Sequence, residues 1–164
     1  MLEAMQIRLA EITDADRDAV LAVRVRPEQE RFVASVEKSF QDARDNPEAQ
    51  PWFRAVHDGP VPVGFVMLSW GLVPGPGLRG PYFLWRLLIG AEFQGRGYGR
   101  AVLDEVVTLL RAAGATELWT SCVPGDGSPE PFYRRYGFLP TGEVDEDGEV
   151  VLRLPLARDD RGQG

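Results

Sequence analysis

Cysteine and histidine are scarce in this chain of 164 residues, which contains one of each. With Cys122 as its single cysteine, the chain cannot form an internal disulfide. Together with His57, that cysteine provides too few ligands for a zinc site, so no metal is expected. A single histidine also leaves a serine–histidine hydrolytic triad without support. His57 follows a strand-like run and precedes a turn, and we expect it at the surface.

Long apolar runs are also missing. No stretch reaches the roughly 20 apolar residues of a membrane-spanning helix. The first residues lack the basic start and apolar core of a signal peptide. The net charge is −7, which disfavours nucleic acid and favours cationic partners, although solubility explains an acidic surface equally well. We therefore expect a cytoplasmic protein with no membrane or nucleic-acid partner.

A strand, a glycine-rich turn and a helix follow one another between residues 82 and 113. The first part, YFLWRLLI, is apolar and of strand length. The last part is amphipathic, because its apolar residues recur at helical spacing: Val102, Leu103, Val106, Val107, Leu110 and Ala113. Helix N-termini carry unpaired N–H groups and partial positive charge, and glycines allow a ligand to approach the backbone. This order predicts a site for a phosphate or pyrophosphate.

The spacing of the glycines distinguishes among three known kinds of phosphate-binding loop and excludes two of them. A P-loop ends in Gly-Lys-Ser/Thr, whereas this chain has Gly99-Arg100-Ala101. A dinucleotide fingerprint needs a further glycine three residues after the second, and neither register supplies it. The pattern Gln/Arg-x-x-Gly-x-Gly/Ala does fit, as Gln94-Gly95-Arg96-Gly97-Tyr98-Gly99. This segment resembles the acetyl-CoA pyrophosphate loop of the GCN5-related N-acetyltransferase (GNAT) family; the alternative is a glycine-rich turn without a ligand.

A second motif lies further along the chain. Phe132 to Phe138 reads Phe-Tyr-x-x-x-Gly-Phe, which resembles the other hallmark of the GNAT family. The resemblance implies that Tyr133 lies near the thioester sulfur. A phenol with an ordinary pKa of about 10 is protonated at neutral pH and can donate a proton to a leaving thiolate. The alternative for Tyr133 is a packed aromatic residue with a satisfied hydroxyl.

The predicted elements follow the order β-α-α-β-β-β-α-β-α-β-β along residues 5–157, with a flexible tail at 158–164. The resemblance to the GNAT family extends over this whole range. It implies a single-domain α/β (α+β) fold with a mixed, mostly antiparallel central sheet of about seven strands and about four helices. No second domain, linker or internal repeat is expected.

The resemblance also implies which residues hold acetyl-CoA, the expected co-substrate. The backbone of the strand before the glycine loop would pair with the pantetheine arm, and the loop would hold the pyrophosphate. In the region before the second motif, relatives often have an asparagine that packs on the cofactor, whereas this chain has Asp126. Whether Asp126 contacts the cofactor stays open, and so does a contact from Cys122. The expected cofactor-binding residues are Leu87, Leu88, Ile89, Gln94, Gly95, Arg96, Gly97, Tyr98, Gly99, Arg100, Asp126 and Tyr133.

The base that deprotonates the acceptor amine is less well defined. A carboxylate is the usual solution, and the candidates are Glu28, Glu30, Glu92 and Glu149. Glu28 and Glu30 lie in the segment that borders the acceptor site in relatives, and Glu28 joins Tyr133 as the expected catalytic pair. The surrounding sequence from Arg26 to Ala34 resembles a subgroup that includes polyamine acetyltransferases of the diamine/spermidine type.

These resemblances predict an enzyme that transfers the acetyl group of acetyl-CoA to a primary amine in a ternary complex. A small, cationic acceptor such as a diamine or polyamine is favoured. A protein N-terminus, an amino acid and an aminoglycoside stay open as acceptors. A second class of function is a non-catalytic acyl-CoA sensor on the same fold. Relatives are often dimers, so a homodimer is expected at the level of the family.

Overall fold

A seven-stranded sheet carries helices on both faces in the computed structural model, which describes residues 4–156. The strands are β1 (Ile7–Ala10), β2 (Pro51–Asp58), β3 (Val61–Trp70), β4 (Tyr82–Ile89), β5 (Glu117–Cys122), β6 (Leu139–Val144) and β7 (Val150–Pro155). The α-helices are α1 (Arg17–Leu21), α2 (Val36–Asp45), α3 (Tyr98–Ala112) and α4 (Glu130–Tyr136). The predicted element order and the predicted fold class are confirmed.

The strands lie side by side in the order β1-β2-β3-β4-β5-β7-β6. All neighbouring pairs are antiparallel except β4 and β5, which are parallel. The sequence predicts a closing hairpin of residues 139–144 and 149–156, but not its place in the sheet. Strand β7 lies between β5 and β6, so the last strand of the described residues is internal and β6 forms the edge. Register across the sheet depends on long-range pairing, which local patterns do not encode.

Two apolar cores form, one on each face of the sheet. The apolar face of α3 is buried in the first, which also contains Tyr133 and Phe138. The second is built from α1, α2 and the opposite faces of β2, β3 and β4, with Val20, Phe40 and Phe65 at its centre. Ser35 caps α2 by accepting a hydrogen bond from the Lys38 N–H (3.1 Å).

Two local predictions were wrong. Helical spacing of apolar residues from Ala19 to Val23 predicts a first helix that continues to about Arg26. The helix instead ends at Leu21, and the Arg24 carbonyl accepts a hydrogen bond from the Ala91 N–H (2.8 Å). His57 is not at the surface but buried, and its Nε2 atom lies 3.8 Å from the carboxylate of Asp16 at the start of α1. Both differences come from contacts between parts of the chain that are distant in sequence.

Within residues 4–156, no helix is long and apolar enough to cross a membrane. The predicted tail at 158–164 lies outside the residues that the structure describes.

Candidate active site

The site begins where β4 and β5 separate. Their parallel pairing covers only Phe83↔Trp119 and Leu84↔Thr120, whereas β4 stays paired with β3 as far as Ile89. The Thr120 hydroxyl donates to the Leu84 carbonyl (2.9 Å) at the point of separation. Beyond Leu84, the β5-facing edge of β4 therefore has no strand partner among the described residues.

A cleft of about 800 Å³ occupies the space between the two separating strands. It is lined by the second half of β4, the end of β5, the glycine loop, α4, and residues 29–34 that precede α2. A free strand edge inside a cleft offers backbone N–H and C=O groups to an extended ligand, as in the addition of a peptide strand to a sheet.

The glycine loop enters α3 with two residues of left-handed backbone. Gly95 has φ 77° and Gly97, the N-cap residue, has φ 88°. A Cβ atom at either position would meet nothing within 4 Å, so these glycines are required by backbone conformation and not by crowding. The first turn of α3 contains no acidic residue, which leaves the positive end of the helix uncompensated.

Gly99 has a different role from the other two glycines. It is helical, and a Cβ atom added to it would lie 3.0 Å from Cζ of Phe132. Phe132 belongs to α4, so the missing side chain at Gly99 lets α4 pack against the first turn of α3. A hydrogen bond also joins these two helices, since the Tyr136 hydroxyl donates to the Asp104 carboxylate (2.7 Å).

This packing places Tyr133, the residue after Phe132, in the cleft wall. Tyr133 is buried, and burial raises the pKa of its hydroxyl, with a further contribution from Cys122. Its hydroxyl makes no hydrogen bond to any residue within 4–156, in contrast to the satisfied hydroxyl of Tyr136. The phenol is therefore protonated at neutral pH and free to donate to a ligand in the cleft.

Cys122 lines the cleft close to Tyr133 and is buried. Burial, reinforced by nearby Glu130, raises the pKa of its thiol to about 11. A thiol with that pKa carries almost no thiolate at neutral pH and is a poor nucleophile.

Ser128 supports the loop that leads into α4, since its hydroxyl donates to the Val123 carbonyl (2.5 Å) and accepts from the Glu130 N–H (3.1 Å).

The four candidate glutamates differ in whether they line the cleft. Glu28 is exposed in the turn Pro27–Gln29 and does not line the cleft, and Glu92 is likewise exposed and outside it. Glu30 and Glu149 line the cleft. The structure thus gives no support to Glu28 as the base, because the turn brings Gln29 and Glu30, not Glu28, to the cavity.

Glu149 has the most altered environment of these carboxylates. It is half-buried immediately before β7, where the pairing of Cys122 with Val150 brings it beside the end of β5. Burial raises its pKa, and Asp145 and Asp147 raise it further, whereas Arg86 opposes the shift. Burial lowers the pKa of Arg86 itself, although its guanidinium donates to the Asp42 carboxylate (2.8 Å).

Most of the residues predicted to bind the cofactor lie together. Ten of them line the cleft: Leu87, Leu88, Ile89, Gln94, Gly95, Gly97, Tyr98, Gly99, Arg100 and Tyr133. Arg96 and Asp126 do not. The Tyr98 hydroxyl donates to Asp58, which raises the pKa of the tyrosine and lowers that of the aspartate, so only its backbone is available to a ligand. Asp126 is exposed, and its carbonyl accepts a hydrogen bond from Arg31 (2.8 Å).

Sequence reasoning named Gln94 but missed Gln29 and the pairing of the two side chains at the cleft. Gln29 and Gln94 join their side-chain amides by reciprocal hydrogen bonds (2.8 and 3.0 Å). The Gln94 side chain also donates to the Ile89 carbonyl (2.9 Å) at the end of β4. No local pattern marks Gln29, since its partner lies 65 residues away.

Comparison with known proteins is consistent with this arrangement. The chain matches the profile of the Acetyltransferase (GNAT) family over residues 11–138. A spermine/spermidine N(1)-acetyltransferase of Bacillus subtilis (strain 168) is 28% identical over 152 residues, which cover 90% of this chain and 97% of that protein.

Solved structures share the fold. An acetyltransferase from Thermus thermophilus superimposes with a TM-score of 0.70 at 20% identity, covering 94% of this chain and all of that one. A GNAT family N-acetyltransferase from Escherichia coli, solved in complex with CoA, gives a TM-score of 0.66 at 22% identity and covers all of this chain and 88% of that one. With the profile match across most of its length and both motifs lining one cleft, the chain belongs to the Acetyltransferase (GNAT) family.

Proposed function

We propose that this protein transfers the acetyl group of acetyl-CoA to a primary amine of a small cationic molecule, with polyamines as the favoured class. One observation carries the proposal: the glycine loop at the start of α3 and the unpaired hydroxyl of Tyr133 face the same cleft. The first binds an anion through backbone N–H groups, and the second can give up a proton.

The residues of the cleft fit acetyl-CoA part by part. The left-handed backbone at Gly95 and Gly97 and the acid-free first turn of α3 suit a diphosphate. Arg100 adds positive charge at the cleft. The free edge of β4 from Leu87 to Ile89 suits the amide-containing pantetheine arm. When bound, acetyl-CoA supplies the activated acetyl group; no metal is needed for this transfer.

Two protons must move in the reaction. The attacking amine loses one, and Glu149 is the carboxylate best suited to accept it, because it lines the cleft and its raised pKa strengthens it as a base. The sulfur gains one as the carbon–sulfur bond breaks, and Tyr133 is the donor. Exchange with solvent then restores the carboxylate and the phenol, so the protein ends the cycle unchanged.

The choice of acceptor rests on charge and on a relative. The net charge of −7 attracts polycations, and Glu30 and Glu149 face the cleft, with Asp145 and Asp147 close to Glu149. The Bacillus subtilis relative is named for spermine and spermidine. These features favour a polyamine over an amino acid, whose carboxylate the same glutamates would repel.

The test is acetyl-CoA consumption in the presence of different amines, followed by release of free thiol. Spermidine and spermine are expected to release thiol faster than an amino acid, an aminoglycoside or a peptide with a free N-terminus. Calorimetry with CoA alone is run in parallel. Tight binding of CoA without thiol release for any amine would identify a sensor and not an enzyme. Absence of CoA binding would refute the proposal altogether.

A further inference from the structure

The segment of residues 26–34, which we call the strap, crosses the cleft between the helices α1 and α2. Six of its residues line the cleft: Gln29, Glu30, Arg31, Phe32, Val33 and Ala34. Its backbone is ordered by local hydrogen bonds from the Gln29 N–H to the Arg26 carbonyl and from the Phe32 N–H to the Gln29 carbonyl (both 2.9 Å). The strap therefore forms one wall of the cleft.

One end of the strap is joined to the glycine loop by a single pair of side chains. The amides of Gln29 and Gln94 exchange two hydrogen bonds and are partly buried. Oε1 of Gln29 also accepts from the Arg26 N–H (3.0 Å), so the same side chain holds the turn of the strap. Gln94 immediately precedes Gly95 and is anchored to the Ile89 carbonyl.

A little further along, the strap contacts the loop that leads into α4. The Arg31 guanidinium donates to the Asp126 carbonyl (2.8 Å) and lies 4.5 Å from the ring centroid of Phe32. The Phe32 ring in turn lies 3.3 Å from the position of a Cβ atom on Gly127. The Arg31 hydrogen bond is solvent-exposed and ends on a backbone carbonyl of a loop, so it holds the strap less specifically than the paired amides do.

We propose that Gln29 is a positioning residue, which couples the order of the strap to occupancy of the glycine loop through its paired amide with Gln94. The inference rests on the proposed function, since it requires a diphosphate in that loop. A ligand that fixes the backbone at Gly95 also restrains Gln94, and a restrained Gln94 holds Gln29 more often in the closed arrangement. Thermodynamic linkage makes the effect reciprocal: a closed strap also favours the bound cofactor.

This coupling gives the protein an ordered way to assemble its acceptor site. Glu30 follows Gln29 directly and faces the cleft, so a strap held by the amide pair also holds a carboxylate on the wall of the cleft. An amine that arrives first meets a less ordered wall. The expected consequence is tighter binding of the amine to the CoA complex than to the free protein.

The test is hydrogen–deuterium exchange of strap amides in the full chain, with and without saturating CoA. The variant Gln29→Met keeps the side-chain length but loses three hydrogen bonds, the two with Gln94 and the one from the Arg26 N–H. Without CoA, its strap should exchange at least about tenfold faster than the parent strap, as expected for the loss of hydrogen bonds of ordinary net strength. CoA should slow exchange in the parent strap and leave exchange in the variant strap unchanged.

Gln41→Met serves as the matched control, because Gln41 is exposed on α2, outside the strap and the cleft. It should behave like the parent in both conditions. The proposal is overturned if Gln29→Met exchanges at the parent rate, or if CoA slows both straps equally. Calorimetry distinguishes this failure from a failure of the proposed function. If the parent protein binds CoA but exchange in its strap does not change, only the coupling is refuted. If the parent protein does not bind CoA, both proposals are refuted.

Discussion

The ring of Phe132 lies against Gly99, with its Cζ atom 3.0 Å from where a Cβ atom would stand. This contact joins the two motifs of the site, because Gly99 ends the glycine loop motif and Phe132 begins the Phe-Tyr motif. The residue after Phe132 is the proposed acid, Tyr133. A glycine that looks like part of a phosphate loop therefore sets the distance between the anion site and the proton donor.

Gly99→Ala tests this role. The new methyl group is expected to push Phe132 and α4 outward, at a cost of about 1–3 kcal/mol for overpacking. The better helix propensity of alanine offsets about 0.5–1 kcal/mol of that cost. Turnover should fall by about tenfold or more as Tyr133 moves. The double variant Gly99→Ala/Phe132→Leu makes room for the methyl group and should recover part of the loss; equal turnover in the single variant and the parent would contradict the assignment.

Gly97→Ala should weaken CoA binding through backbone strain. A non-glycine residue in the left-handed region costs about 1–2 kcal/mol, and the loop can avoid that cost only by giving up the conformation that directs its N–H groups. Gly114→Ala is the matched control, because Gly114 also has a left-handed φ (84°) and open space for a Cβ atom, but lies after the far end of α3. Both variants should lose similar stability in denaturant unfolding, and only Gly97→Ala should lose CoA affinity in calorimetry.

Tyr133→Phe should lower kcat by about 100-fold, within the usual range for loss of a general acid, with a small change in acetyl-CoA affinity. Stability should change little, because the hydroxyl has no hydrogen-bond partner among the described residues. Tyr136→Phe is the opposite case: it removes the hydrogen bond to Asp104 and should cost about 1 kcal/mol of stability with activity retained. Unchanged turnover in Tyr133→Phe would exclude the proposed proton donor.

Glu149→Gln should lower kcat/KM by about 100-fold and abolish the acid limb of its pH profile. In the parent, burial raises the pKa of Glu149, so the carboxylate becomes protonated, and activity falls, at a higher pH than for an ordinary glutamate. Glu28→Gln should leave the profile intact, because Glu28 lies outside the cleft. A parent-like profile in Glu149→Gln, with loss of activity in Glu28→Gln, would restore the expectation from the sequence.

The raised pKa of Glu149 also makes the stability of the protein depend on pH. A raised folded-state pKa means that the folded protein binds this proton more tightly than the unfolded chain does. Glu149 therefore contributes stability at low pH that is lost as the pH rises through its folded-state pKa. The glutamine variant should consequently be no less stable than the parent at neutral pH, a result that thermal unfolding at several pH values can check.

Cys122→Ala should retain activity to within about threefold, since a thiol with a pKa of about 11 is protonated at neutral pH and does not attack the thioester. Mass spectrometry of the parent after mixing with acetyl-CoA should show no acetylated protein species. Accumulation of an acetyl-enzyme that disappears in Cys122→Ala would instead establish a covalent route.

Short-range patterns were sufficient for the element order and for the glycine loop before α3. Each depends on residues within one strand, turn or helix: apolar spacing marks α3, and glycines mark the two left-handed positions before it. The same patterns identified a group of candidate glutamates, since a carboxylate is recognisable by type. They could not rank the candidates, because burial and neighbouring charge are not local properties.

Tertiary structure decided everything that depends on pairing across the chain. The early end of the β4–β5 ladder opens the cleft, and the insertion of β7 beside β5 brings Glu149 next to Cys122. The burial of His57 and the amide pair of Gln29 with Gln94 have the same origin. Such contacts join segments tens of residues apart. Their geometry is set by sheet register and helix packing, which depend on the whole fold and are not determined by any single stretch of residues.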